Sequence, residues 1–135
     1  MTDRLDPLTA SVRASLGAAG IDLSRIEVAA TSDLRADGML GESWLVVTEA
    51  ELLAVDGAGR VVRRVLRNQV KSVQAESLVG GGAFVAEVAG DLIELTSYSN
   101  AHQDKFAYLV RWLSEWIDFR AGKRKEEPID RKSVV

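Results

Sequence analysis

The chain contains Gly41-Glu42-Ser43-Trp44-Leu45-Val46-Val47-Thr48 and, two residues later, Glu51-Leu52-Leu53-Ala54-Val55. Both runs are rich in Val, Leu and aromatic residues, and both have the length of a β-strand. Because the connection between them is so short, they predict an antiparallel hairpin. Similar runs recur from Arg25 to Thr96 at intervals of roughly 8 to 12 residues, which is typical of a small antiparallel sandwich or barrel.

Turn residues separate the apolar runs on both sides of this hairpin. Asp37-Gly38, Asp56-Gly57-Ala58-Gly59 and Gly90-Asp91 adopt positive φ at little cost, as tight turns require. Gly80-Gly81-Gly82 predicts a hairpin tip or a bulge. The resulting seven predicted strands are Arg25 to Thr31, Gly41 to Thr48, Glu51 to Val55, Val61 to Arg67, Val70 to Leu78, Phe84 to Val88 and Leu92 to Thr96.

Helical periodicity appears at both ends of the strand region. A short N-terminal helix is expected with Asp6 as its N-cap, Pro7 at its first position and Gly20 as its left-handed cap. A longer helix is predicted over about Ala101 to Arg120, with Gly122 marking its end. Its apolar stripe consists of Phe106, Leu109, Val110, Leu113, Trp116 and Ile117.

The length of 135 residues matches one domain, since single cores usually occupy about 100 to 200 residues. We therefore expect an N-terminal helix over residues 1–20, one mainly β domain over residues 21–120 and a charged tail or linker over residues 121–135. The fold class is a seven-strand antiparallel half-barrel or sandwich that a C-terminal helix closes.

Composition excludes several classes of function. The chain has no cysteine and one histidine, so neither a zinc knuckle, a cysteine nucleophile nor a multi-histidine metal site is expected. Residues 1–119 hold 11 basic and 17 acidic side chains, a balance of −6, which disfavours nucleic-acid binding. No secretory signal is recognisable, and a cytoplasmic location is expected.

The residues of the first hairpin resemble those of pleckstrin-homology-like domains of the GRAM-like and bacterial branches. The similarity covers Gly41 to Thr48 and Glu51 to Val55, continues at Asn68-Gln69-Val70-Lys71-Ser72-Val73, and ends at Tyr98-Ser99-Asn100-Ala101 followed by Phe106. The arrangement is also similar to the cytosolic N-terminal domain of some bacterial ABC exporters, over about residues 20–120. The motifs are structural, and the resemblance implies no catalytic residue.

This resemblance implies a non-enzymatic interaction or regulatory domain, the N-terminal accessory part of a bacterial ABC half-exporter. Its partner would be the transporter in cis or a second copy of the chain, at the inner face of the membrane. The alternative is a free-standing pleckstrin-homology-like module that binds an anionic lipid headgroup or a protein. No cofactor is implied.

Two sets of side chains are candidates for binding. Arg63, Arg64, Arg67 and Lys71 lie in a run without acidic residues, so they either contact an anionic headgroup or form a solvated strand face. On the C-terminal helix a second aromatic set is offset from the apolar stripe, and it either widens the core or forms a partner face. That set consists of Tyr108, Trp112 and Phe119.

Overall fold

The computed structural model describes residues 6–35, 39–120 and 122, and it has seven strands and two α-helices in that part of the chain. The predicted turn at Asp37-Gly38 and the predicted tail, apart from Gly122, lie outside the described residues. The α-helices are α1 (Ala10–Ala18) and α2 (Gln103–Arg120). The strands are β1 (Ile26–Leu34), β2 (Leu40–Thr48), β3 (Glu51–Asp56), β4 (Val61–Leu66), β5 (Val70–Leu78), β6 (Gly81–Val88) and β7 (Asp91–Ser99).

The strands form two antiparallel sheets, one in the order β1-β2-β3-β4 and the other in the order β5-β6-β7. This confirms the mainly β fold with two terminal helices that the sequence predicts. Most strands lie close to their predicted bounds, but β1 extends three residues beyond its predicted end, β6 begins three residues early, and β7 is longer by one residue at its start and three at its end. The added ends of β6 and β7 pair with each other, with Gly81 opposite Ser99.

The central strands β2 and β3 of the four-stranded sheet are buried on both faces, which explains why they are almost continuously apolar, whereas the edge strand β4 is mostly exposed. Along β2, Leu45 and Val47 face the core between the two sheets, whereas Trp44 and Val46 face a second core on the outer side. Helix α1 covers that outer face with Val12 and Leu16. Strand alternation therefore sends each apolar pair to a different core.

The main core lies between the two sheets and α2. Phe106, Leu109 and Leu113 of α2 are buried in it, as the helical stripe predicts, but Val110 and Ile117 are only partly buried. At the start of α2, the Phe106 ring stacks on the Tyr98 ring with a centroid distance of 4.4 Å. No helix in residues 6–35, 39–120 or 122 is both long and apolar enough to cross a membrane.

Glycine is required where β6 passes Tyr98. A Cβ added at Gly81 would lie 1.9 Å from the Tyr98 carbonyl oxygen, and one added at Gly82 would lie 2.6 Å from the Tyr98 hydroxyl. Gly80 is the turn residue before them, with a φ of 80°. Gly80 therefore lies at the predicted hairpin tip, whereas Gly81 and Gly82 begin β6 and allow its close contact with β7.

The predicted start of the N-terminal helix is wrong. Thr9, rather than Asp6, is the N-cap of α1, and its side chain accepts a hydrogen bond from the Val12 amide. Asp6 Oδ2 instead accepts from the Thr31 amide at 2.9 Å and from Lys105 Nζ at 2.8 Å. The Asp6 carboxylate therefore joins the N-terminal segment to β1 and α2.

We predict that Leu16→Ala lowers the free energy of unfolding by about 2 to 5 kcal/mol, because it opens a cavity under α1. Arg13→Ala is the matched control on the exposed face of the same helix, and a change within about 0.5 kcal/mol is expected. Urea denaturation measures both. Equal small effects would contradict the packing of α1 on the sheet.

Candidate functional site

A cavity of about 480 Å³ lies where the chain leaves one sheet and enters the other. The 3₁₀ turn Arg67–Gln69 makes this connection between β4 and β5, and the C-terminal half of α2 closes the opposite wall. The size is within the range of small-molecule pockets. The lining residues are Glu27, Glu49, Ala50, Leu52, Leu66, Arg67, Asn68, Val70, Val73, Leu113, Trp116, Ile117 and Arg120.

Arg67 is the central polar residue of this cavity. Its side chain is only 10% exposed, and Nη1 donates to Glu27 Oε1 at 2.7 Å and to the Thr48 carbonyl at 3.0 Å. Its backbone amide donates to the Ala50 carbonyl at 2.8 Å. A buried arginine is stable only with such charged and polar partners.

Two indole rings of α2 pack against the same guanidinium. The Arg67 Cζ atom lies 5.3 Å from the Trp112 ring centroid and 5.0 Å from the Trp116 ring centroid. These are cation–π distances, and the attraction is strengthened where water is excluded. The contacts explain why an arginine, whose planar group stacks on aromatic rings, occupies this position.

One nitrogen of the guanidinium has no hydrogen-bond acceptor. Nη2 of Arg67 is buried and is the single buried side-chain nitrogen or oxygen without a partner among the residues that the structure describes. Such an unsatisfied group is uncommon in folded proteins and costs about 1 to 3 kcal/mol. The atom therefore marks the place where the protein has unused capacity to bind an acceptor.

Arg120 fixes the last turn of α2 over the cavity. Its Nη1 donates to the Arg67 carbonyl at 2.9 Å, and its Nη2 donates to the Val70 carbonyl at 3.0 Å. Carbonyl groups do not neutralise a full charge, and the described residues show no carboxylate in an ion pair with Arg120. Arg120, which is exposed, thus has carbonyl partners but no ion-pair partner within the described part of the chain.

The fold places the four predicted basic residues in different surroundings, two of them paired with carboxylates and two of them exposed. Arg64 is paired with Glu51 through two hydrogen bonds, and those bonds lower the pKa of the Glu51 carboxyl. Arg67 is buried against Glu27, as described above. Arg63 and Lys71 are exposed. Because two of the four charges already bind carboxylates, contact with an anionic headgroup now depends on Arg63 and Lys71.

The predicted aromatic set also has mixed surroundings. Trp112 packs on the main core and on Arg67, as the interpretation of a widened core expects. Phe119 is partly buried, and Tyr108 is partly buried as well. The Phe119 ring meets the Trp116 ring edge-on at 5.5 Å. A partner face formed by the three residues stays a prediction.

Residues Glu27, Trp116 and Arg120 of the cavity were not recognised from the sequence as site residues. Glu27 lies in β1, Arg67 follows β4, and Trp116 and Arg120 lie in α2, so only the tertiary fold brings them together. Within the described ranges, no group of three His, Cys, Asp or Glu residues is placed to hold a metal ion.

Comparison with known proteins identifies no relative: no family model, no curated protein and no solved structure matches the chain. The resemblance to pleckstrin-homology-like domains therefore stays a prediction.

We predict that Glu27→Ala lowers the free energy of unfolding by about 3 kcal/mol, because it leaves the buried Arg67 charge without its carboxylate. Glu49→Ala is the matched control in the same cavity. The Glu49 side chain is 59% exposed and lies 3.6 Å from Arg25, so a loss below about 1 kcal/mol is expected. Guanidinium chloride denaturation measures both variants, and similar losses in the two would contradict this role of the buried pair.

Proposed function

We propose that this protein is a non-enzymatic binding domain whose ligand site is the cavity between α2 and the β4–β5 connection. The observation that carries the proposal is the cavity itself, an apolar space of about 480 Å³ with a buried arginine in its wall. Ligand sites commonly combine apolar walls with a few fixed polar groups. Leu52, Val70 and Ile117 supply part of the apolar wall.

The surroundings of the cavity support binding rather than chemistry. The Arg67 and Arg120 side chains are held in place by an ion pair, by stacking on indole rings and by carbonyl contacts, as suits groups that recognise a ligand. A rigid polar group in an apolar pocket positions a ligand and selects it.

The setting that we propose is an accessory, regulatory domain of a bacterial ABC exporter. The first support is the resemblance described for the first hairpin. The second is the fold, because the resemblance implies seven antiparallel strands and a closing helix, and the structure has both. In such a setting, ligand occupancy of the cavity would alter how α2 meets its partner, since Arg120 ties α2 to the cavity wall.

The binding proposal predicts saturable uptake of a neutral apolar dye. Nile red added to the protein is expected to give a saturable rise in fluorescence. Ala50→Trp is expected to abolish most of the rise, because Ala50 is exposed and lines the cavity, so that an indole there obstructs the opening. Ala107→Trp is the matched control on the exposed side of α2 and should leave the titration unchanged.

Two results would contradict a binding function of this cavity. The first is the absence of a saturable signal with the wild-type protein. The second is an equal response of the two tryptophan variants, which would place the dye on another surface.

The exporter setting predicts what the parent gene encodes after codon 135. Continuation into apolar segments of about 20 residues and a G-x-x-x-x-G-K-S/T loop is expected. Sequencing the gene downstream is the measurement. A stop codon directly after Val135 would contradict this setting and leave the binding function to be tested alone.

A further inference from the structure

We infer that the ligand of the cavity is a monocarboxylic acid with an apolar body, such as a medium-chain fatty acid, whose carboxylate binds Arg67. The inference rests on the proposed function and adds the chemical class of the ligand. It follows from the hydrogen bonds of Arg67, from the charges around the cavity and from the apolar wall.

The hydrogen bonds of Arg67 leave room for one more acceptor. Nη1 is used twice, by Glu27 and by the Thr48 carbonyl, whereas Nη2 has no acceptor among the described residues. The side chain is nine-tenths buried, so water reaches it poorly. Nη2 itself is covered by protein atoms, so the acceptor of an apolar ligand reaches it by displacing neighbouring side-chain atoms, and a charged acceptor gives the stronger bond.

The charges around the cavity favour a monoanion over a dianion. Glu27 is paired with Arg67, and Glu49 lies 3.6 Å from Arg25, which also lies 3.4 Å from Asp22. With Arg120, which binds two carbonyls, the acidic and basic side chains of this region balance. A monocarboxylate adds one negative charge, whereas a phosphate dianion would add two and would be repelled more strongly by the two glutamates.

The apolar wall of the cavity favours a ligand whose body is an alkyl chain. Leu52, Leu66, Val73, Leu113 and Ile117 present aliphatic groups, and Trp116 adds an indole. An alkyl chain buried among them contributes roughly 0.8 kcal/mol for each methylene. The charged end and the apolar body are thus recognised by different parts of the same cavity.

Calorimetric titration with decanoate and with decanol tests the inference, since the two probes share an alkyl chain and differ in the head group. Decanoate is expected to bind the wild type about ten- to a hundredfold more tightly than decanol, which corresponds to one hydrogen bond to a charged group. Both probes are used below the concentrations at which they aggregate.

Two variants separate the role of Arg67 from the stability of the fold. Arg67→Met combined with Glu27→Gln removes both charges of the pair, and a well-packed neutral replacement of a buried pair is tolerated. In this double variant decanoate should lose its preference of about ten- to a hundredfold over decanol. Glu27→Gln alone removes the competing carboxylate and should strengthen decanoate binding several-fold. Thermal denaturation confirms that each variant is folded.

The outcomes distinguish the ligand class from the cavity function. Equal affinities of decanoate and decanol for the wild type, or decanoate binding that is unaffected by the double variant, would overturn the carboxylate class and leave the cavity function in place. Binding of neither decanoate nor decanol, together with no uptake of Nile red, would overturn the proposed function itself. Nile red binding without either alkyl probe would overturn the ligand class alone.

Discussion

The ion pair between the buried Arg67 and the partly exposed Glu27 is the interaction on which the functional part of the structure depends. It joins the β4–β5 connection to β1, and the second bond of Nη1 joins the same group to the end of β2. Two indoles of α2 pack on the guanidinium, so the helix is positioned by it as well. The Arg67 side chain therefore contacts β1, the end of β2 and α2, which form three walls of the cavity.

The fold supplies the space that this side chain organises. The two sheets lie close together along β1 and β7, where the Ser32 hydroxyl donates to the Ser97 carbonyl. Between β4 and β5 no strand pairing exists, and α2 covers the gap. The cavity lies at this corner because the two sheets are joined there by the 3₁₀ turn Arg67–Gln69 and not by paired strands. Helix α1 plays a different part, since it covers the outer face of the four-stranded sheet.

Local patterns in the sequence predict the strands and the long helix, but they do not predict the site. The apolar runs of β2 and β3 and the helical stripe with Phe106, Leu109 and Leu113 depend on neighbouring residues, and the structure confirms these strands and this helix. The cavity depends on residues 40 to 90 positions apart, such as Glu27, Arg67 and Trp116. The sequence groups Arg67 with Arg63 and Arg64 because the three are close in the chain, and no neighbouring residue indicates that two indoles cover it. Asp6 was misplaced for the same reason: its partners, Thr31 and Lys105, are distant in sequence.

The central claim is that the cavity beside Arg67 holds a ligand through that guanidinium. A crystal structure of the protein grown with decanoate tests the claim most directly. The account predicts electron density for the alkyl chain among Leu52, Leu113 and Ile117, with the carboxylate within hydrogen-bonding distance of Arg67 Nη2. An empty cavity at saturating decanoate, or a chain whose carboxylate points away from Arg67 into solvent, would contradict it.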